Sequence, residues 1–143
     1  MRISRKAQYA LQASLDLALH GTADRGSRTA EIASRTGVPE KFLEAILRDL
    51  RQAGLVTSKR GPDGGHRLAS DPGRVTAGAV IEAIDGPLSG AANRKRHRAR
   101  PEEVCVLSLW DRVESAVQDI LGGVTLEDLR REAVAPGPVD YSI

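Results

Sequence analysis

A single cysteine in 143 residues excludes an internal disulfide and leaves no framework for a four-thiolate zinc site. No apolar run approaches the length of a membrane span. The start Met1-Arg2-Ile3-Ser4 is not followed by an uninterrupted apolar region, because Asp16 and His20 break the first helical pattern. A secretion signal is therefore not expected, and a cytoplasmic location is. Catalytic patterns are missing as well: there is no nucleophile with its base, no catalytic carboxylate pair, and no phosphate-cradling glycine loop, since Gly61 to Gly65 is not followed by a helix. An enzyme is not expected.

What is present is one compact domain's worth of chain with 41% hydrophobic residues, enough for a core. The net charge of +2 hides an uneven distribution. Residues 1–75 carry 13 Lys and Arg against 8 Asp and Glu, whereas residues 101–143 carry 3 against 9. Between them Arg94-Lys95-Arg96-His97-Arg98-Ala99-Arg100 adds a basic run. The N-terminal part is thus suited to a polyanion and the C-terminal part is not.

Within that basic half, Ser27 to Leu55 divides into two helices. Thr29 is placed to cap the first, with Glu31 in its first turn and Ala30, Ile32 and Ala33 opening an apolar face; Gly37 closes it. Pro39 stands at the expected first position of the second helix, whose Leu43, Ile46, Leu47 and Leu50 recur at amphipathic spacing until Gly54. Helix, short break with glycine and longer helix form the pattern of a helix-turn-helix. Rotation of about 100° per residue puts Lys41, Ala45, Arg48 and Gln52 opposite the apolar face, with Glu44 on its flank. Lys41, Glu44 and Ala45 lie in the first turns, where base edges are approached, and Arg48 and Arg51 lie further along, where phosphates are met. Next, Val56 to Leu68 reads as a β-hairpin whose Pro62-Asp63-Gly64-Gly65 tip offers two glycines for positive φ. Lys59, Arg60 and Arg67 flank that tip as a basic wing. A protein-interaction module is the competing reading, but it does not require so many cations on one projection.

Beyond the wing, Thr76 caps a helix with Val80, Ile81 and Ile84 inward, and Gly86 and Pro87 end it. Pro101-Glu102-Glu103 then opens the strongest helix of the chain, striped by Val106, Leu109, Trp110, Val113, Ala116, Val117, Ile120 and Leu121 up to Gly122. So long a stripe needs cover, either from its own domain or from the same helix of a second subunit. Thr125 with Asp128 starts a short last helix, and Pro136 to Ile143 reads as a mobile tail.

The chain resembles the Rrf-two family of winged-helix transcriptional regulators, with its IscR-, NsrR- and CymR-type members. The resemblance is carried by Met1-Arg2-Ile3-Ser4, Tyr9-Ala10-Leu11, Leu15-Asp16-Leu17-Ala18 and Phe42-Leu43-Glu44. Its most specific piece is Leu50-Arg51-Gln52-Ala53-Gly54-Leu55-Val56 running into Arg60-Gly61-Pro62-Asp63-Gly64-Gly65-His66-Arg67-Leu68. Ile81 to Pro87, Leu109-Trp110 and Val124 to Leu129 extend it to roughly nine tenths of the chain. It implies a mainly α fold with a small β-hairpin wing: a winged helix-turn-helix domain over 1–86, a basic loop over 87–100, a dimerisation helix and short last helix over 101–134, and a tail over 135–143. The implied function is that of a dimeric repressor on a pseudo-palindromic operator in double-stranded DNA. The implied DNA contacts are Lys41, Glu44, Ala45, Arg48, Arg51, Lys59, Arg60, Gly64 and Arg67, and the implied dimer contacts are Val106, Leu109, Trp110, Val113, Val117 and Ile120.

In one respect the chain departs from the family pattern. IscR- and NsrR-like members hold an iron-sulfur cluster on three cysteines in the loop before the long helix, and here only Cys105 is present among Asn, Arg, Lys and Ala neighbours and His97. No cofactor is therefore expected, and the signal is a small ligand or a protein co-regulator. Cys105 falls on the face of Leu109, which favours burial as a small hydrophobe over a one-thiol redox switch. His20 ends a helix, and His66 fills a wing position that the family usually gives to tyrosine.

Overall fold

The first helix, α1 (Arg5–His20), is built to let others close on it: Ala7, Ala10 and Ala13 are fully buried and small enough for neighbouring helices to approach its backbone. The computed structural model describes residues 3–21, 24–88 and 100–135. The expected tail beyond Ala135, and the basic run apart from Arg100, lie outside those residues. After α1 come α2 (Thr29–Thr36), α3 (Glu40–Gln52), an antiparallel hairpin of β1 (Val56–Lys59) and β2 (Gly65–Leu68), and a short turn of tighter helix over Pro72–Arg74. Then follow α4 (Ala77–Asp85), α5 (Pro101–Gly123) and α6 (Leu126–Val134).

Ser4 caps α1 by accepting from the Ala7 N–H at 3.0 Å, and its own N–H donates to Asp85 at 2.8 Å, joining the start of α1 to the end of α4. Leu17, Ile32, Val38, Leu43, Ile46, Leu47, Leu50 and Val56 fill the space between α1, α2, α3 and the wing base. The three leucines and one isoleucine expected to face inward on α3, Leu43, Ile46, Leu47 and Leu50, do so. Two expected helix starts move by one residue. Thr29 is the first residue of α2 and not its cap, and Pro39 precedes α3 where it was expected to open it. In α2 the cap is provided in reverse, by Glu31 accepting from the Arg28 N–H at 3.0 Å.

The short last helix rejoins the core of the winged helix after α5. Leu126 is fully buried among α1 residues, and the Leu126 N–H donates to Val75 O at 2.8 Å while the Ala77 N–H donates to Val124 O at 2.8 Å. Thr125 and Asp128 form the expected reciprocal cap. Glu127, between the Arg130 and Arg131 guanidiniums, has its carboxyl pulled down to about 2. By contrast, α5 meets the rest of the chain chiefly along α4. Gly78 makes that contact close: a Cβ there would stand 3.3 Å from Leu121 O. Among the described residues no helix is long and apolar enough to cross a membrane.

Asp16, which the sequence pattern shows only as an interruption of the apolar face, is buried at 5% exposure and takes three hydrogen bonds from Arg35 at 2.8–3.2 Å. Asp16→Ala would strip the half-buried Arg35 guanidinium of its hydrogen-bonded counter-charge, leaving only the Glu31 carboxylate at 3.9 Å, and should cost about 2 to 3 kcal/mol. Urea unfolding at neutral pH measures this. A loss below about 0.5 kcal/mol, the range of ordinary surface substitutions, would show that α1 and α2 do not depend on the pair.

Candidate nucleic-acid interface

Three elements build one basic face. The turn Gly37-Val38-Pro39 joins α2 to α3, with Gly37 in the left-handed region at φ 77° and Val38 buried beneath it. This anchors α3 by its apolar face and leaves Lys41, Glu44 and Arg48 exposed on the other, with Ala45 half-buried between them. Lys41 lies over the exposed Phe42 ring, 5.1 Å from its centroid. Arg51, at the end of α3, turns towards the wing and donates to Ser58 Oγ at 3.3 Å.

The wing pairs Val56 with Leu68, Thr57 with Arg67, Ser58 with His66 and Lys59 with Gly65. Because side chains alternate along a strand, Val56, Ser58, His66 and Leu68 share the face turned to the domain, and Thr57, Lys59 and Arg67 share the other. Lys59 and Arg60 are exposed, while Arg67 is half-buried. The tip differs from the expected pair of positive-φ glycines. Gly61 (φ 107°) and Gly65 (φ 123°) take those conformations, and Gly64 does not. Gly64 is buried inside the tip, where a Cβ would overlap Lys59 O and approach Arg60 C to 2.8 Å. It closes the turn, its N–H donating to Gly61 O at 3.0 Å.

The wing is also sewn to the helix-turn-helix more firmly than a bare hairpin. Ser27, just before α2, exchanges backbone hydrogen bonds with His66 at 2.7 and 2.9 Å, forming an antiparallel bridge. Gly26 and Gly65 cross there so closely that a Cβ on either would lie within 2.8 Å of the other strand. His66, which its sequence position marks only as a filler, is the node of this junction. Its Nδ1 lies 2.6 Å from Ser58 Oγ and its Nε2 lies 3.1 Å from Thr29 Oγ1. Burial, helped by the Arg51 charge, pushes its pKa below the ordinary value, so the imidazole is held neutral. A histidine that bridges three elements has no periodic signature, and the alternation of the strand shows only that it faces inward.

The same chain carries the expected dimer residues on α5. Val106 (51%), Leu109 (48%), Trp110 (49%), Val113 (42%) and Ile120 (64%) are exposed, and Val117 is half-buried. Cover by the chain's own domain, the first of the two readings of the stripe, is therefore not what the fold has for these residues. Cys105 is exposed on the first turns of α5. The expectation of a buried thiol was wrong for the single chain, because none of the described residues covers Cys105.

Helix, turn, helix and hairpin wing, with cations on the outer faces of α3 and the wing, define a winged helix-turn-helix DNA-binding protein. The chain belongs to the Rrf2 family, described as iron-dependent transcriptional regulators, whose model matches residues 3–132. It is a transcriptional regulator of that family. It is 38% identical over 130 residues to the regulator CymR of Bacillus subtilis, covering 90% of this chain and 89% of CymR. It is 35% identical to the regulator IscR of Photobacterium profundum, covering 92% and 77% of the two chains. The solved structure of B. subtilis CymR, the global cysteine regulator, superposes with a TM-score of 0.79 at 33% identity over 92% of this chain and 98% of that one. The iron in the family's description has no fitting ligand set here. One cysteine cannot supply the four ligands a cluster usually takes, and among the described residues no three His, Cys, Asp or Glu side chains gather.

The interface yields two separable effects. Arg60→Ala should weaken binding to every duplex and flatten its salt dependence, the result expected of an exposed wing cation removed from a phosphate or groove contact. Glu44→Ala should change which operators are accepted, the result expected of an exposed carboxylate in the first turns of a recognition helix. Binding measured on a panel of duplexes at several salt concentrations separates the two, and an equal loss across all sequences for Glu44→Ala would remove its role in base choice.

Proposed function

We propose that the protein is a homodimeric repressor that reads a pseudo-palindromic operator, with α3 in the major groove and the wing at the minor groove or the flanking phosphates. The observation that carries this reading is the exposed apolar face of α5 on the same chain as the basic winged helix. Contiguous apolar surface of this kind calls for a partner, and a second copy supplies a matching face by two-fold symmetry. Two winged helices related by that symmetry match half-sites about one or two helical turns apart. Lys41, Glu44 and Ala45 then meet base edges, and Arg48, Arg51, Lys59, Arg60 and Arg67 meet the backbone or groove. We further infer that the protein has no catalytic role and works in the cytoplasm, where its relatives' DNA lies. Its signal is a small ligand or a protein co-regulator in place of a cluster.

The dimer is tested by sedimentation at micromolar concentration, free and on DNA. Val113→Glu should convert the dimer to a monomer while the circular dichroism of the folded winged helix is retained, and a wild-type monomer in both states would remove the dimer. Genomic footprinting with the purified protein names the operator and the regulated genes together.

Protein prepared anaerobically should be colourless, hold no stoichiometric iron or sulfide, and bind its operator. Cys105→Ser should bind with unchanged affinity with or without peroxide. Visible absorbance with bound iron and sulfide would overturn the cluster-free reading, with His97 and Cys105 the first residues to replace. A peroxide response lost in Cys105→Ser would instead establish a thiol switch.

A further inference from the structure

Between the start of α2 and the wing lies a cleft of about 590 Å³ lined by Arg28, Thr29, Arg51, Ser58, Lys59, Arg60 and the backbone beside them. Among the described residues, none that line it is acidic, and none of its four cations is paired with a carboxylate. This contrasts with the cations just outside it, since Arg25 pairs with Glu31 and Arg35 with Asp16. Arg28 reaches across the opening and donates from Nη2 to Gly61 O at 3.0 Å, which engages one of the five donors of its guanidinium. On the opposite wall Arg51 is steadied by Ser58 Oγ. His66, hydrogen-bonded to both Thr29 and Ser58, holds the two walls at a fixed separation without adding a full charge.

We propose that this cleft seats one DNA backbone phosphate, bound by Arg28 and Arg51 with the Thr29 hydroxyl and flanked by the Lys59 charge. Among the described residues these four cations converge on one opening without a carboxylate ion pair, Glu31 lying close enough to Arg28 to feel its charge but accepting from its backbone N–H, and Arg guanidiniums suit phosphate oxygens in particular. The cleft lies between the last turn of the recognition helix and the wing tip, so a strand engaged by both crosses it. That position favours a backbone phosphate over a free anion. The proposal rests on the DNA-binding reading above and adds Arg28 and Thr29, which helical periodicity leaves unmarked, as residues that set the register of the protein on the duplex.

The test compares wild type, Arg28→Ala and Arg60→Ala on the footprinted operator and on a scrambled duplex at several salt concentrations. Arg28 is exposed and outside the core, so the variant should fold, which circular dichroism checks. Arg28→Ala should bind both duplexes about tenfold more weakly, with the salt slope reduced by about one and site preference unchanged. A second arm replaces backbone phosphates one at a time by neutral methylphosphonates. One linkage in each half-site should weaken wild type about tenfold and leave Arg28→Ala unaffected. If Arg28→Ala keeps its full affinity and slope while Arg60→Ala loses them, the cleft does not hold a backbone phosphate. If inorganic phosphate or pyrophosphate raises the melting temperature of wild type but not of Arg28→Ala, with DNA binding unaltered by the substitution, the cleft is a free-anion site and the proposal is overturned. Failure of wild type to bind any duplex overturns the DNA-binding reading itself and this proposal with it.

Discussion

A continuous polar chain holds the DNA-facing elements in one frame. Buried Asp16 on α1 grips Arg35 of α2, and the same guanidinium donates to Ser27 Oγ at 2.8 Å. The backbone of Ser27 bridges to His66 of β2, and His66 passes the linkage to Thr29 and Ser58, the latter hydrogen-bonded to Arg51 of α3. The links at Asp16, Arg35, Ser27 and Thr29 are partly or fully withdrawn from water, where a lost partner costs more than the bond contributes, whereas those at Ser58 are exposed. The hairpin by itself is too small to be stable. Its orientation relative to the recognition helix therefore depends on this network, and so does the spacing between Arg60 on the wing and Lys41 on α3.

The distribution of paired and unpaired charge follows from the same frame. Lys6 is bonded to Asp49 at 2.7 Å, Arg35 to Asp16, and Arg130 and Arg131 to Glu127. These pairs tie helices together or trim helix ends and keep their cations from a polyanion. Lys41, Arg48, Arg51, Lys59 and Arg60 form no ion pair among the described residues. Cations without a carboxylate partner among the described residues are what a salt-dependent, phosphate-dominated association requires. The net charge of the chain conceals this, since it counts both kinds alike.

The two faces of α5 divide its work. Glu114 is buried and Val117 half-buried, while Leu121 packs with Ala7, Ile81 and Leu88, so the helix is fastened to the winged helix near its C-terminal end. Its other face carries Leu109, Trp110, Val113 and Ile120 into solvent. Cys105 sits on the same element, within the part that the described residues leave uncovered.

Local pattern alone determined much of this protein. The period of Leu43, Ile46, Leu47 and Leu50 specified α3 and its outer face, Gly37 and Gly54 marked its limits, and Thr76, Thr125 and Asp128 specified later helix starts, because caps and amphipathic periods act within a few residues of one another. The hairpin followed from its turn residues, although which glycines take positive φ did not: Gly61 and Gly65 do, while Gly64 does not and is required instead by space, since a Cβ there would meet Lys59 and Arg60. Contacts between residues far apart in sequence were decided only by the tertiary structure. Asp16 with Arg35, Ser27 with His66, the burial of Leu126 and the convergence of Arg28 with Arg51 and Lys59 have no periodic or short-range signature. The exposure of Cys105 and of the α5 stripe belongs with them: amphipathic spacing shows that a face is apolar, and only packing shows whether the same chain covers it.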